Sequence, residues 1–384
     1  MKLVAFYHSL ISDWNHGNAH FLRGVVGELL ARGHEVRVFE PADAWSVANL
    51  VCDHGEAAIA AFHAAYPGLT SERYGLVLDL DRALDGADAV LVHEWNDPEL
   101  VARIGRHRAA GGRYALLFHD THHRSVTAPH EIARYNLRHY DGVLAFGRVI
   151  RDLYRDRGWA ERAWTWHEAA DSRVFGPRPE ITADRDLVWV GNWGDDERTA
   201  ELQAMLIEPV RALGLRAEVH GVRYPAAARR ALADAGIRYA GWLPNFAVPE
   251  VFARHKVTVH VPRRPYVEAL PGIPTIRVFE ALACGIPLIS APWRDDEGLF
   301  TAGEDYLVAR DSEEMRRLLR AVVHDRVLAA ALGRHGRDTI LARHTCAHRV
   351  DELLAILAEL GVAAATPAPA VSPPTTKELS CHPD

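Results

Sequence analysis

The strongest constraint on the fold is an alternation set in the first forty residues and then repeated. KLVAFY (2–7) is an apolar run of strand length, followed by the polar segment SLISDWNHGNAH with Gly17 near its middle. FLRGVVGELLA then places Phe21, Leu22, Val25, Val26, Leu29 and Leu30 at helical spacing, and Gly33 supplies a helix stop. HEVRVFE alternates as a second strand. Strand, helix and strand in this order make a βαβ unit, with parallel strands and a right-handed crossover.

The alternation continues. DAVLVHE (88–94), RYALLFH (113–119) and DGVLAFG (141–147) read as strands, with helices near 97–109 and over RVIRDLYRDRG. RAWTWHEAAD (162–171) reads as a last strand with its exit loop, and FGPRPEITADRD (175–186), with two prolines and mixed charge, reads as a linker. LVWVGN opens a second series at 187. Its expected strands are RAEVHG, IRYAGWL, KVTVHVP and IPLISA; its expected helices lie around 197–212 and over AAARRALADAG, VPEVFARH and IRVFEALACG. Helices at 312–323, 327–343 and 347–360 follow. The expected organisation is two doubly wound, Rossmann-like α/β domains, 1–174 and 187–345, joined by the linker 175–186. A closing helix (346–361) and a Pro/Ala/Thr-rich tail (362–384), expected to be disordered, complete the chain. Ligands of such sheets sit at the carboxyl ends of the strands, near the point where strand order reverses.

Composition narrows the class. The 384 residues suit two domains, and 48% hydrophobic residues suffice for two cores. A net charge of −7 argues against a non-specific nucleic-acid binder. Cys52, Cys284, Cys346 and Cys381 are scattered, without a C-x-x-C pair, as in reduced cytoplasmic proteins. The N-terminus lacks the long apolar core of a signal peptide, and no run of ~18 apolar residues exists to span a membrane, which leaves peripheral contact as the membrane association the sequence allows.

The most informative stretch is PGIPTIRVFEALACGIPLISAPW (271–293). Its core, Glu280-Ala281-Leu282-Ala283-Cys284-Gly285-Ile286-Pro287, resembles the donor-binding region of nucleotide-sugar glycosyltransferases of the GT-B fold. The resemblance is to the glycosyltransferase family 4-like group and its CgeB-like branch. ARGHEVRVFE, HEAADSRVFGP, IRYAGWLPNFAVPEVFARHKVTVHVP and GEDYLVARDSEEMRRLL follow that group's order over most of the chain. It implies two domains facing each other across a cleft and a nucleotide-diphosphate sugar as co-substrate: a UDP-sugar first, with GDP- or ADP-sugars as alternatives. The acceptor and the oligomeric state are not legible.

The chemistry of the motif agrees with this. A carboxylate such as Glu280 accepts hydrogen bonds from the two hydroxyls of a ribose. The loop and helix start at Gly272, Thr275 and Ile276 offer backbone N–H groups to a diphosphate, and Arg277 and Arg263 offset its charge. On the first loop of the second domain the resemblance adds Gly191, Asn192 and Arg198. Two departures stand out. The group's Glu-x7-Glu pattern has Gly272 where its first glutamate belongs, and its basic phosphate grip is replaced by the acidic GNWGDDER.

FHDTHHR (118–124) follows a strand of the first domain. His119, Asp120 and His122 have the elements of a metal set, but no zinc-type spacing appears, and no metal is expected. The resemblance puts the pair His119-Asp120 beside the donor sugar as the catalytic candidates. Asn15, His16, Gly17 and Asn18 are the candidates for a loop meeting phosphate or acceptor, with Gly17 allowing close backbone approach. The expected activity is metal-independent glycosyl transfer, with retention at the anomeric carbon implied by the resemblance. A nucleotide-sugar epimerase and a non-catalytic sugar-nucleotide binder are the alternatives.

Overall fold

The computed structural model describes residues 1–75 and 77–362. Apart from Val362, the stretch expected to form a disordered tail lies outside the described residues. The first sheet has seven strands: β1 (Lys2–Phe6), β2 (Glu35–Pro41), β3 (Glu72–Tyr74), β4 (Ala89–His93), β5 (Ala115–Asp120), β6 (Gly142–Ala145) and β7 (Ala163–Thr165). Their order is β3-β2-β1-β4-β5-β6-β7, all parallel. The second sheet has six: β8 (Arg185–Val190), β9 (Ala217–His220), β10 (Arg238–Gly241), β11 (His255–His260), β12 (Leu288–Ser290) and β13 (Leu307–Val308). Their order is β10-β9-β8-β11-β12-β13, again all parallel. Strand order reverses between β1 and β4 and between β8 and β11, so each sheet has one switch point. Two doubly wound parallel sheets, as expected from the alternating pattern, are present.

Why the strands read as unbroken apolar runs is plain from their burial. Every residue of β4 and β5 is buried, because helices cover both faces of a parallel sheet. The helix Ala19–Ala31 covers β1 with Phe21, Leu22, Val25, Val26 and Leu29 and ends before Gly33, whose φ is +80°. The C-terminal helix Cys346–Glu359 leaves the second domain and packs against Ala19–Ala31. Gly24 is the contact: a Cβ there would lie 2.4 Å from Cys346 Sγ. Trp166 donates its indole N–H to the Arg349 carbonyl (2.8 Å), tying the same helix to the exit of β7.

The structure departs from the sequence pattern in three places. The helix expected around 197–212 is broken into a 3₁₀ turn (Asp195–Glu197), a helix (Thr199–Leu202), a π turn (Gln203–Ile207) and a helix (Glu208–Leu213). Pro209 lacks the N–H that a continuous α-helix would need there. The edge strands β3 and β13 are not among the expected ones: β3 is Glu-Arg-Tyr, with no apolar run, and β13 is only two residues long, each paired on one side alone. The helices Trp45–His54 and Glu56–Ala65 are short amphipathic covers that the strand-led reading passes over.

Candidate active site

Loops leaving the carboxyl ends of β1, β5, β7, β8 and β11 meet the N-terminus of the helix Ile276–Cys284 around a cleft of about 350 Å³. That is within the range of ligand pockets, roughly 300–1,000 Å³. The first domain contributes Asn15, His16, Gly17, Asn18, Thr121, His122, His123 and Glu168; the second contributes Gly191, Asn192, Arg198, His260, Arg263, Tyr266, Thr275, Ile276 and Arg277.

The loop after β1 is held from inside. Arg23 sits on the apolar face of Ala19–Ala31 and is buried, its guanidinium over the rings of Phe62 and Tyr66. It donates to the carbonyls of Leu10 (2.8 Å) and Ile11 (2.7 Å) and to Asp13 Oδ2 (2.9 Å). Asp13 also accepts the Trp242 indole N–H (3.0 Å) and the Asn245 amide (3.0 Å), so one carboxylate fastens the loop to the second domain. Asn15 adopts a left-handed backbone (φ 48°), which asparagine tolerates better than most residues, and its side chain meets Asn192 across the cleft. A Cβ on Gly17 would lie 3.5 Å from Ile276, so this glycine sits against the first residue of the helix Ile276–Cys284. Asn18 does not cap its helix; its amide reaches Thr121 instead.

Glu280 is wholly buried and meets the first domain through His20. His20 Nδ1 and Asn245 Nδ2 both donate to Oε1 at 2.8 Å, and Arg277 closes on Oε2. His20 Nε2 accepts the Asp171 amide (2.7 Å), which fixes the ring proton on Nδ1, facing Glu280. Burial would raise the pKa of this carboxyl; the charge of Arg277 and the hydrogen bonds from His20 and Asn245 outweigh it and hold it below the ordinary range. Arg277 is a quarter exposed and lies between Glu280 and the open cleft.

The remaining cations differ in how free they are. Arg198 is buried, stacked on Trp189 and donating to three carbonyls: Val261 (3.0 Å), Trp193 (3.3 Å) and Asn192 (2.5 Å). With burial and the nearby Arg263 and Arg277 against it, and no carboxylate on it, its pKa falls to about 10. Arg263 pairs with Glu197 at 3.0 Å. Thr275 precedes the helix without capping it; its hydroxyl bonds His260 Nε2 (3.0 Å), and the first-turn amides keep no side-chain acceptor. Burial lowers the His260 pKa to about 3.

The structure separates the histidine cluster into two layers. His119 and Asp120 lie in β5, behind the cleft wall. His119 packs edge-on against Trp166 (4.8 Å between centroids), Phe21 and His93, and burial drops its pKa to about 3. Asp120 accepts the Tyr154 hydroxyl (2.9 Å) and the His122 amide (3.1 Å); burial and the neighbouring Glu94 push its pKa well up. Thr121, His122 and His123 are the members of this run that line the cleft, with His122 against Trp95. Gly272 is placed away from the cleft lining. It has φ 89°, and a Cβ on it would lie 2.5 Å from Glu297 Cγ. Among the described residues no three His, Cys, Asp or Glu side chains stand where they could hold one metal ion.

Sequence reasoning missed Asp13, His20, Arg23 and Glu168. Two left a signal: Arg23 interrupts an apolar helical stripe, and Glu168 is a lone acid at the end of the apolar WTW strand.

Comparison with known proteins agrees with this geometry. Residues 198–355 match the family described as glycosyl transferase-like. No curated protein matches the chain in sequence. Among solved structures, the chain is similar to sucrose-phosphate synthase from Thermosynechococcus elongatus (14% identity, TM-score 0.63, covering 95% of this chain and 100% of that one). It is similar to HepE from Anabaena in complex with UDP-glucose (13%, TM-score 0.64, 94% and 100%). It is also similar to the T4 phage BGT in complex with its UDP-glucose substrate (12%, TM-score 0.57, 93% and 98%). At these identities the structures speak for the fold; the family match speaks for the second domain. Among the described residues no helix is long and apolar enough to cross a membrane. Taken together, the whole-chain fold is that of the GT-B structures, and its second half matches a family described as glycosyl transferase-like.

Proposed function

We propose that the cleft binds a UDP-hexose and transfers its sugar to an acceptor hydroxyl without a metal. The observation that carries this reading is the second-domain wall, where Arg198, Arg263 and Arg277 converge with the uncapped first turn of Ile276–Cys284. Backbone amides at a helix start and convergent guanidinium groups are what a departing diphosphate requires. The HepE and T4 phage structures that share the fold hold UDP-glucose, which makes it the first donor to test.

Donor binding would rearrange one contact. Arg277 covers Glu280 in the present state. Turning Arg277 outward to the diphosphate frees Oε2 for the ribose hydroxyls, while His20 and Asn245 keep Oε1 in place. The glycine-rich corner at Gly191 and Gly221 receives the nucleoside. It is tight: a Cβ on Gly221 would lie 2.1 Å from the Gly191 carbonyl. Asn15, His16, Gly17 and Asn18 bring the acceptor-side loop onto the helix start. His119 and Asp120 support the sugar end from behind, Asp120 by holding the amide of His122, which faces the cleft.

Calorimetric titration of the full chain with UDP, GDP, ADP and their hexose conjugates tests the reading. UDP and UDP-glucose are expected to bind, with and without chelator. No binding by any nucleoside diphosphate would refute it.

A further inference from the structure

The contacts described so far leave one acid in the cleft without a role. Among the described residues, Glu168 is the only carboxyl that lines the cleft, which it shares with His122, Tyr266, Ile276 and Arg277. The other acids near the cleft are paired: Glu197 with Arg263, Asp195 with Arg223, Glu94 with Arg124, Glu280 with Arg277. Glu168 is 5% exposed, and its Oε1 is buried with no hydrogen-bond partner among the described residues. An unpartnered buried carboxyl is costly to keep, and a folded chain holds such groups mainly where chemistry uses them.

We propose that Glu168 is a catalytic residue of the transfer, the general base that takes the proton of the attacking hydroxyl. The proposal rests on the reading of the cleft as a nucleotide-sugar site. In the step, the acceptor oxygen bonds to the anomeric carbon. The bond from that carbon to the diphosphate oxygen breaks, and its electron pair leaves with the nucleoside diphosphate. The hydroxyl proton passes to the Glu168 carboxylate and then to solvent. With water as acceptor, UDP-glucose and water give glucose, UDP and one proton. This balance is the same for either face of attack. The surroundings of Glu168 suit a base, since burial, and then the negative charge of Glu280, raise its pKa to about 8, against the opposing charge of Arg277. A base is most effective when its pKa lies near the working pH.

The test is UDP-glucose hydrolysis by the full chain, followed from about pH 6 to 9.5, alongside calorimetric UDP binding and thermal melts. Wild-type kcat is expected to rise with pH through a midpoint near 8 and level off about one pH unit above it. Glu168→Gln should fold, bind UDP within about twofold of wild type, lose kcat by roughly 10²-fold or more, and lose the pH-dependent limb. Glu168→Asp should keep a limb and part of the activity. Wild-type kcat or an unchanged pH limb in Glu168→Gln would overturn the proposal. So would a wild type that binds UDP but cleaves no UDP-glucose at any pH. A wild type that binds no UDP overturns the donor reading first, and this proposal with it.

Discussion

Glu168→Gln is expected to stabilise the folded chain while it disables the enzyme, and the stabilisation should depend on pH. The carboxyl has its pKa raised from the ordinary 4.5 to about 8 in the folded state, through burial first and Glu280 second. At 1.36 kcal/mol for each pH unit of displacement, ionising it in the folded chain costs up to roughly 5 kcal/mol more than in the unfolded chain. Relaxation and water entry reduce such figures, and about 2–3 kcal/mol is the working expectation. The sign follows from linkage. Below about pH 4.5 the acid is neutral in both states and costs nothing. As pH rises toward 8 the unfolded chain ionises while the folded chain resists, so wild-type stability falls; above 8 the loss is complete. Glutamine is neutral throughout and escapes it. Thermal melts of both proteins at about pH 5 and pH 9 check this, since a domain of roughly 150–250 residues moves its Tm by about 2–4 °C per kcal/mol. The variant should gain little at the lower pH and roughly 4–12 °C at the higher. A difference that is the same at both would mean that Glu168 is not held neutral by its surroundings, and would remove the support for its role as a base.

Glu280→Gln should weaken UDP binding by about 1–3 kcal/mol in calorimetry, because the ribose loses a charged acceptor; unchanged affinity would leave Glu280 as an interdomain contact to His20 and Asn245 alone. Gly272→Glu, which rebuilds the Glu-x7-Glu spacing, should destabilise the chain and restore no activity, since a side chain there meets Glu297 on a left-handed backbone; higher turnover than wild type would contradict the placement. His119→Ala should lower stability in denaturant unfolding by about 2–4 kcal/mol through the cavity left among Phe21, Trp166 and His93, whereas His122→Ala should cost under about 1 kcal/mol and act on kcat. If the two effects exchange places, the two-layer description of the loop is wrong. Excess chelator should leave UDP binding unchanged in calorimetry, and binding that disappears on chelation and returns with a divalent cation would show a required metal.

How much was legible follows from what each kind of signal reports. Strand and helix type depends on apolar period, and period survives in sequence: β1, β4, β5 and β11 are contiguous apolar or alternating runs because two helix layers bury them. Elements that owe their state to a neighbour carry no such mark. β3 is Glu-Arg-Tyr and exists because β2 offers it a free edge. The broken helix after Gly194 follows from Pro209 and an acidic turn, neither of which changes the apolar period that suggested one continuous helix.

The candidate site divides along the same line. Residues whose role depends on local backbone geometry were legible, because a glycine before a helix or an uncapped first turn is a statement about neighbours in sequence: Gly17, Gly191, Thr275 and Ile276 all line the cleft. Residues whose role depends on distant partners were not. Asp13 meets Trp242 and Asn245, more than two hundred positions away, and His20 meets Glu280 across the domain boundary. The histidine-rich loop shows why adjacency misleads. Along a strand, consecutive side chains point to opposite faces, so neighbours in sequence part company in space. His119 turns toward Phe21 and Trp166 on one side of the sheet, and Asp120 toward Tyr154 on the other. Only where β5 ends does the chain turn Thr121, His122 and His123 into the cleft. A sequence can place such a cluster at the carboxyl end of a strand. Which of its members faces the substrate is decided by where the strand stops, and the two buried positions before that point serve the wall that the later ones present.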